Sequence, residues 1–245
     1  MPVKRQSHFL PYFSVTDIFR SHPQWRRVCG GLLLLWMWDA SGLDLTLAHW
    51  FGGPDGFPLQ HHPLLADWLH DRVRQAGWWL LAGLTVAVWW PVGTLKALQR
   101  RERAWMMAAV WLSLLLVVTV KGLSRTSCPW ELAEFGGAVP YISHWDWWAR
   151  DGGSGRCFPA GHASTAFAFL AVAVWWQTVS SKTGRALWFT VVSVGLVLGW
   201  AQQARGAHYF SHTLWTAWLC WATAVTLHAV SRRVAAPATS PRSRH

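Results

Sequence analysis

The chain has 245 residues, of which 52% are apolar, 13% are charged and 22 are tryptophan. About a quarter of the residues of a soluble globular domain are charged, so this composition excludes an ordinary soluble domain, and the apolar content excludes a disordered chain. The net charge of +11 does not indicate nucleic-acid binding, because the basic residues lie in short runs between apolar segments and not on one face of a folded domain. Tryptophan is enriched where proteins meet the membrane–water interface. The composition therefore predicts an integral membrane protein.

Six apolar segments are long enough to cross about 30 Å of hydrocarbon as helices, at about 1.5 Å per residue. They are residues 28–51, 78–95, 105–123, 163–179, 187–204 and 213–231. These segments predict an all-α integral membrane protein, a bundle of six transmembrane helices that forms one domain over residues 28–231. The first segment carries Asp39, Asp44 and His49, and we expect this polar side to face the bundle and not the lipid.

Lysine and arginine are unevenly distributed among the connections. If both termini are cytoplasmic, 15 of the 22 lysines and arginines lie on the cytoplasmic side, as the positive-inside rule requires. Residues 1–27 then form a cytoplasmic segment without a signal-peptide pattern, and residues 232–245 form a disordered, basic cytoplasmic tail. Residues 62–77 have helical apolar spacing and are expected to lie along the membrane surface. The connections 124–162 and 203–212 share the outer side.

Three polar clusters lie at the outer ends of the last four spans. Lys121 and Arg125 are four residues apart, so a continuing helix would place both cations on one face, although lysine and arginine are also common at membrane interfaces. Residues 158–164 lead into the fourth span, where the free N–H groups of a helix start form either an anion site or a simple cap. Residues 205–212 carry two histidines four positions apart, a spacing that alone is more often structural than catalytic.

The three clusters together are more specific than any one of them. Lys121 is followed after six residues by Cys-Pro, then by Pro-Ala-Gly-His ending at His162, and then by Gly-Ala-His ending at His208. This order resembles the type 2 phosphatidic acid phosphatase superfamily, whose pattern is Lys-x6-Arg-Pro, Pro-Ser-Gly-His and Ser-Arg-x5-His-x3-Asp. The expected spans, termini and motif positions resemble the membrane lipid phosphatase branch of this family over residues 28–231.

The resemblance implies a role for each matching position. Lys121 matches the lysine that binds phosphate, and Gly161, with Ala160 beside it, matches the backbone that cradles the phosphate. His162 matches the histidine that protonates the leaving group, and His208 matches the histidine that attacks phosphorus and becomes phosphohistidine. Phosphoryl transfer needs this combination of positive charge, nucleophile and proton donor. The mechanism requires neither a metal nor another cofactor.

Several positions depart from the family pattern. The neutral imidazole at the position of the family's final aspartate is expected to accept a hydrogen bond from His208, although it stabilises an imidazolium less than a carboxylate does. The departures are Cys128 for the first arginine, Ala160 for a serine, Ala201 and Gln202 for the Ser-Arg pair, and His212 for the aspartate.

Other charged residues are expected to compensate for these departures. Arg125 lies four residues after Lys121 and Arg205 three residues before His208, so we expect both arginines to bind the substrate phosphate. The sequence does not choose among four candidates for the missing carboxylate, which are Glu131, Glu134, Asp146 and Asp151.

Cys128 and Cys157 are the only cysteines predicted to lie outside the bilayer. In an oxidising exterior we expect them to form a disulfide, which would contribute about 3–4 kcal/mol by closing a loop of about 30 residues; the alternative is two unpaired thiols. His144 and Asp146 within that loop weakly suggest a head-group site. Its tryptophans are expected to contact the outer leaflet or a lipid substrate: Trp130, Trp145, Trp147 and Trp148.

The leading hypothesis is a membrane phosphatase of the bacterial cytoplasmic (inner) membrane, with its active site facing the periplasm or exterior. Its expected partners are the bilayer and a lipid phosphate or diphosphate, of the polyprenyl diphosphate, phosphatidylglycerol phosphate, phosphatidate or lipid A type. The oligomeric state is left open. One alternative is a lipid phosphotransferase with the same intermediate, and another is an inactive lipid-phosphate binding or transport protein with the same fold. A last alternative treats His162, His208 and His212 as zinc ligands.

Overall fold

The structure, a computed structural model, describes residues 23–235, which contain helices and no β-strand. The prediction of an all-α chain is confirmed. The α-helices are α1 (Pro23–Ser41), α2 (Leu43–His49), α3 (Val73–Val86), α4 (Arg100–Leu123), α5 (Ser164–Phe167), α6 (Leu170–Val179), α7 (Ser181–Ala204) and α8 (Phe210–Ala235). A π-helix, Leu64–Arg72, leads directly into α3, and 3-10 helices occupy Gly93–Ala97, Pro129–Glu131 and Ala133–Phe135.

Two predicted terminal segments reach beyond the described residues. Most of the N-terminal segment 1–27 lies outside them, and helix α1 already begins at Pro23. At the other end α8 continues to Ala235, so the first four residues of the predicted tail, 232–235, are helical. Residues 236–245 of that tail lie outside the described part of the chain.

Helices occupy all six segments that the sequence predicts as spans. Within residues 23–235, α4 and α7 are each long and apolar enough to cross a membrane, and the pair α1–α2 is a third such unit if it counts as one span. This pair is bent by 66° at Gly42, whose φ of +69° is a conformation that glycine adopts without strain.

The second predicted span, 78–95, is shorter than expected. Helix α3 ends at Val86, because Pro91 lies just beyond the turn that follows and proline disfavours the helical conformation in the residue before it. The buried guanidinium of Arg103 in α4 donates to the carbonyl oxygens of Val88, Leu95 and Leu98. Val88 lies in the turn after α3, and Leu95 and Leu98 lie in and just after the 3-10 helix Gly93–Ala97, so Arg103 joins α4 to the connection that follows α3.

Helix α8 lies at the centre of the packing and contacts α1, α2 and all of α4 to α7. It packs closely on α7, where a Cβ on Gly199 would lie only 2.1 Å from Cγ2 of Thr213. Small residues of this kind allow neighbouring helices to pack closely. The end of α4, the start of α5, the end of α7 and the start of α8 consequently meet on one side of the molecule.

Two of the three polar residues of the first span, Asp39 and Asp44, face the bundle as predicted, whereas His49 is exposed and pairs with Glu134. Asp39 accepts hydrogen bonds from the indole N–H groups of Trp145 (2.9 Å) and Trp215 (2.8 Å). Asp44 accepts from the backbone N–H of Ser211 at 3.0 Å and from its hydroxyl. These bonds join α1 and α2 to the first turns of α8 and to the loop 124–162, which we call the outer loop after its predicted side.

Candidate active site

A cavity of about 420 Å³ lies where the ends of α4, α5, α7 and α8 meet. Four of the predicted site residues line it together: Lys121, Gly161, His162 and His208. They come from three separate stretches of chain, so the structure brings the three sequence clusters to one place.

His208 lies in the short connection between α7 and α8, which turns at Gly206 with a φ of +74°. Its ring is 6% exposed, and its Nδ1 lies 3.6 Å from Sγ of Cys157, which leaves Nε2 as the ring nitrogen free to act in the cavity. Burial, and next the positive charge of Lys121, hold the pKa of His208 well below its usual range. The imidazole is therefore neutral at pH 7, as a nucleophile must be.

Lys121 lies in the last turn of α4, beside the loop that precedes α5. A Cβ on Gly161 would be 3.2 Å from Cδ of Lys121, so the glycine allows the lysine stem to lie close to this loop. Lys121 is the residue of α4 that carries a positive charge into the cavity.

His162 is nearly buried and is held on two sides. Its Nε2–H donates to the carbonyl oxygen of Leu69 at 2.7 Å, and its ring stacks on His70 with centroids 4.5 Å apart. Burial lowers the pKa of His162 to about 4, and the charges of His70, Arg74 and Arg205 act in the same direction, against the Leu69 hydrogen bond. His162 is thus neutral at pH 7 before an anion binds.

Two predicted phosphate ligands lie outside the cavity lining. Arg125 is exposed, because α4 ends at Leu123 and the extended Ser124 redirects the chain; the same-face argument for Lys121 and Arg125 is therefore wrong. Arg205 is turned toward Gln60, to whose carbonyl it donates at 2.9 Å, and toward Gln202.

Two further predictions for this region are corrected. The backbone N–H of Ala160 donates to the carbonyl of His212 at 3.1 Å, so it is not free to bind phosphate. The rings of His208 and His212 meet edge to face with centroids 5.8 Å apart, and Nδ1 of His212 has no hydrogen-bond partner. His212 therefore packs behind the nucleophile and does not accept its hydrogen bond.

None of the four candidate carboxylates lines the cavity, because each is engaged elsewhere. Glu131 accepts from the N–H of Cys128, Glu134 pairs with His49, Asp146 accepts from the N–H of Ala149, and Asp151 accepts from the N–H and hydroxyl of Ser127. The carboxylate next to the histidine cluster is instead Asp39, whose Oδ2 lies 3.4 Å from Nε2 of His144. The ring of His144 in turn lies 5.3 Å from that of His212.

Cys128 and Cys157 form the predicted disulfide, with a Cα–Cα distance of 5.1 Å. The chain on either side is paired as well, since the N–H of Cys157 donates to the carbonyl of Thr126. The described chain contains one group of three potential metal ligands whose donor atoms lie within 4.8 Å of one another. It consists of these two cysteines and His208. Their sulfurs are bonded to each other and are not thiolates, and the three histidines of the zinc hypothesis form no such group.

Two of the four tryptophans of the outer loop, Trp130 and Trp145, contact the rest of the protein. Trp130 lines the cavity, Trp145 bonds to Asp39, and Trp148 is 91% exposed. His144 is buried and stacks on Phe158 at 4.3 Å, whereas Asp146 is exposed. Binding of a head group by these two residues stays a prediction.

Three polar residues of the cavity were missed as ligands by the sequence reasoning. Gln202 is 3% exposed, and its Nε2 has no hydrogen-bond partner, which in a buried position calls for an acceptor from a ligand. His70 and Arg74 come from the helical segment interpreted as a membrane-surface helix. Their spacing of four residues placed them on one helical face but did not show what that face contacts.

Apart from Ser164 and Thr165 of α5, the rest of the cavity wall is largely apolar and comes mainly from α3, α4 and the residue before α6. Leu114 and Val118 lie on the same side of α4 as Lys121, and Val118 is 65% exposed. The apolar lining consists of Trp78, Leu81, Leu114, Val118 and Phe169. The cavity thus has a polar end with the histidines and an apolar end that opens on the outside of the helices.

The comparison with known families agrees with this geometry. The model of the PAP2 superfamily matches residues 102–235, more than half of the chain. The chain belongs to the PAP2 superfamily. No curated protein and no solved structure matches it significantly. PAP2 members are phosphatases that act on phosphate esters, often of lipids, and many are bound to membranes. The matched region contains Lys121, His162 and His208.

Proposed function

We propose that the protein hydrolyses a lipid phosphate or diphosphate through a phosphohistidine on His208. The observation that carries this proposal is the two-ended cavity, in which two histidines and a lysine face a wall of Trp78, Leu81 and other apolar side chains. A molecule that fills both ends has a phosphate group and a hydrocarbon chain.

In the proposed reaction Nε2 of His208 attacks phosphorus and the bond to the leaving oxygen breaks. Lys121, the backbone N–H of Gly161 and the amide of Gln202 stabilise the charge on the equatorial oxygens. His162 gives a proton to the leaving oxygen, for which it must first be protonated; a bound phosphate raises its pKa by placing negative charge beside it. Water activated by His162 then releases inorganic phosphate from His208, and no step calls for a metal.

We further propose six transmembrane spans, cytoplasmic termini and a site on the periplasmic face of a bacterial inner membrane. The distribution of lysine and arginine supports this orientation. The Cys128–Cys157 disulfide supports it as well, since disulfides persist in oxidising compartments.

Phosphate release from a panel of lipid phosphates and diphosphates, by detergent-purified protein in excess chelator, tests the proposal. We expect the wild type to release phosphate and to form an acid-labile phosphoprotein, and His208→Ala to do neither. His61→Ala is the matched control, because His61 is exposed and lies outside the cavity lining.

Turnover by His208→Ala near the wild-type rate would contradict the assignment of the nucleophile. A phosphoprotein that forms without phosphate release would instead indicate the lipid phosphotransferase, which paired lipid donors and acceptors would then identify. Lipid binding with neither phosphoprotein nor release would indicate the inactive binding protein.

A further inference from the structure

Two basic side chains in the cavity come from a part of the chain that the PAP2 match does not cover. His70 lies in the π-helix Leu64–Arg72, and Arg74 lies in the first turn of α3. Both line the same cavity as His162 and His208. In the described chain Arg74 is the only arginine that does so.

These two residues lie on the His162 side of the cavity. The ring of His70 is stacked on that of His162, 4.5 Å away and tilted by 20°. The charge of Arg74 acts on His162, whereas the charge that acts most strongly on His208 is that of Lys121. Lys121 thus lies on the nucleophile side of the cavity, and Arg74 and the ring of His70 lie on the leaving-group side.

The neighbouring acid also orients this pair. Nδ1 of His70 lies 2.9 Å from Oδ1 of Asp71, which fixes the plane of the ring against His162. Asp71 does not line the cavity, whereas Arg74 does, although the charges of these two residues also interact with each other. Arg74 itself lies at the exposed rim, between the histidines and the apolar wall formed by Trp78 and Leu81.

The charge of a leaving group decides what its surroundings must provide. When a phosphate monoester is cleaved, the leaving group is an alcohol. The alcohol is neutral once His162 has protonated it and needs no cation. A diphosphate ester leaves as a lipid monophosphate, which carries about −1.5 to −2 charges at pH 7. A guanidinium binds such a group through two parallel hydrogen bonds, and this geometry is a strong reason to place an arginine beside it.

We propose that the substrate is a lipid diphosphate whose inner phosphate is bound by Arg74 and His70. This inference rests on the function proposed above. The terminal phosphorus bonds to Nε2 of His208, its bond to the bridging oxygen breaks, and that oxygen takes the proton of His162 and leaves as part of the lipid monophosphate. Water then cleaves the phosphohistidine, so the products are inorganic phosphate and the lipid monophosphate.

The test compares farnesyl diphosphate with farnesyl monophosphate, which share one hydrocarbon chain. We expect the wild-type kcat/KM to be at least about tenfold higher for the diphosphate, the ratio that one charge-assisted hydrogen bond provides. Arg74→Gln should lower kcat/KM for the diphosphate by about 10-fold to 100-fold, and much less for the monophosphate, because only the diphosphate places a phosphate at Arg74. Arg74→Lys should restore part of the diphosphate activity.

Arg72→Gln is the matched control, since Arg72 lies two residues away, is exposed and does not line the cavity; both activities should equal those of the wild type. Equal loss of both activities in Arg74→Gln, or no loss, would overturn the proposed subsite. The phosphatase proposal would still stand if hydrolysis depended on His208. A wild type that prefers the monophosphate would overturn the subsite in the same way. Release of phosphate that persists in His208→Ala, or no release from either lipid, would overturn the phosphatase itself.

Discussion

Two neutral histidines, His162 and His208, are the residues on which the proposed chemistry depends. Both are neutral for the same physical reason, since burial disfavours the imidazolium. For His208 this state provides a lone pair for attack. For His162 it means that the imidazole becomes protonated, and can act as an acid, only when an anionic ligand is bound.

The depressed pKa of His162 predicts a loss of stability in acid. A histidine in the unfolded chain binds its proton near pH 6.5, whereas folded His162 does so only near pH 4. The unfolded state therefore binds more protons between these values, and the free energy of unfolding falls as pH decreases through them. We expect His162→Asn to remove about 2–3 kcal/mol of this loss.

Thermal unfolding in detergent at pH 7 and pH 5 measures this effect. The wild type should lose more of its midpoint temperature than His162→Asn over that interval. His61→Ala, at an exposed histidine, should behave as the wild type does. An equal loss in wild type and His162→Asn would show that His162 titrates normally in the folded protein.

Among the elements, the bent pair α1–α2 has the most specific polar contacts. The carboxylate of Asp39 joins α1 to the outer loop through Trp145 and His144, and to α8 through Trp215. Through His144 it also supports the ring of His212, which packs behind His208. The fold thus connects a carboxylate to the nucleophile through two intervening imidazole rings, a route that the family motif does not contain.

Asp39→Ala should therefore destabilise the protein, because it removes the acceptor of two indole N–H groups, those of the exposed Trp145 and the buried Trp215. It also removes the carboxylate that lies beside the buried ring of His144. The cost of such unsatisfied groups is about 1–3 kcal/mol each, and a lower midpoint of thermal unfolding in detergent measures it. Asp55→Ala is the matched control, since Asp55 is exposed and should leave the midpoint where it is. An unchanged midpoint in Asp39→Ala would show that these bonds contribute nothing.

The sequence predicted the elements better than it predicted their ends. Apolar length located a helix in each of the six segments, but the end of α3 depended on Pro91, and the end of α4 at Leu123 removed Arg125 from the site. Motif order located Lys121, His162 and His208. It could not locate Gln202, His70 or Arg74 as ligands, because helical periodicity shows which residues share a face and not which cavity that face reaches.

At the scale of the whole molecule, one covalent bond joins the first motif to the second. The disulfide spans 29 positions between Cys128 and Cys157, and Sγ of Cys157 contacts the nucleophile. Because this disulfide packs against His208, a change in the stability of the outer loop should also change the position of His208.

Replacing both cysteines by serine should cost about 3–4 kcal/mol, the chain-entropy value for a loop of this length, and should lower phosphate release by moving His208. The midpoint of thermal unfolding and kcat/KM measure the two effects. Cys29→Ser is the control, because Cys29 is an exposed free thiol. Wild-type stability in the double variant would show that the disulfide does not hold the loop.

The stacked pair of His70 and His162 has a consequence for how such an enzyme can change. His162 belongs to the half of the chain that the PAP2 match covers, and His70 belongs to the half that it does not. The proposed catalytic residues and the residues proposed to bind the leaving group thus lie in different parts of the chain. They meet where the rings of His70 and His162 stack. Mutation in the helix that bears His70 and Arg74 can redirect the choice of lipid without touching the nucleophile, so related proteins with identical motifs need not share a substrate.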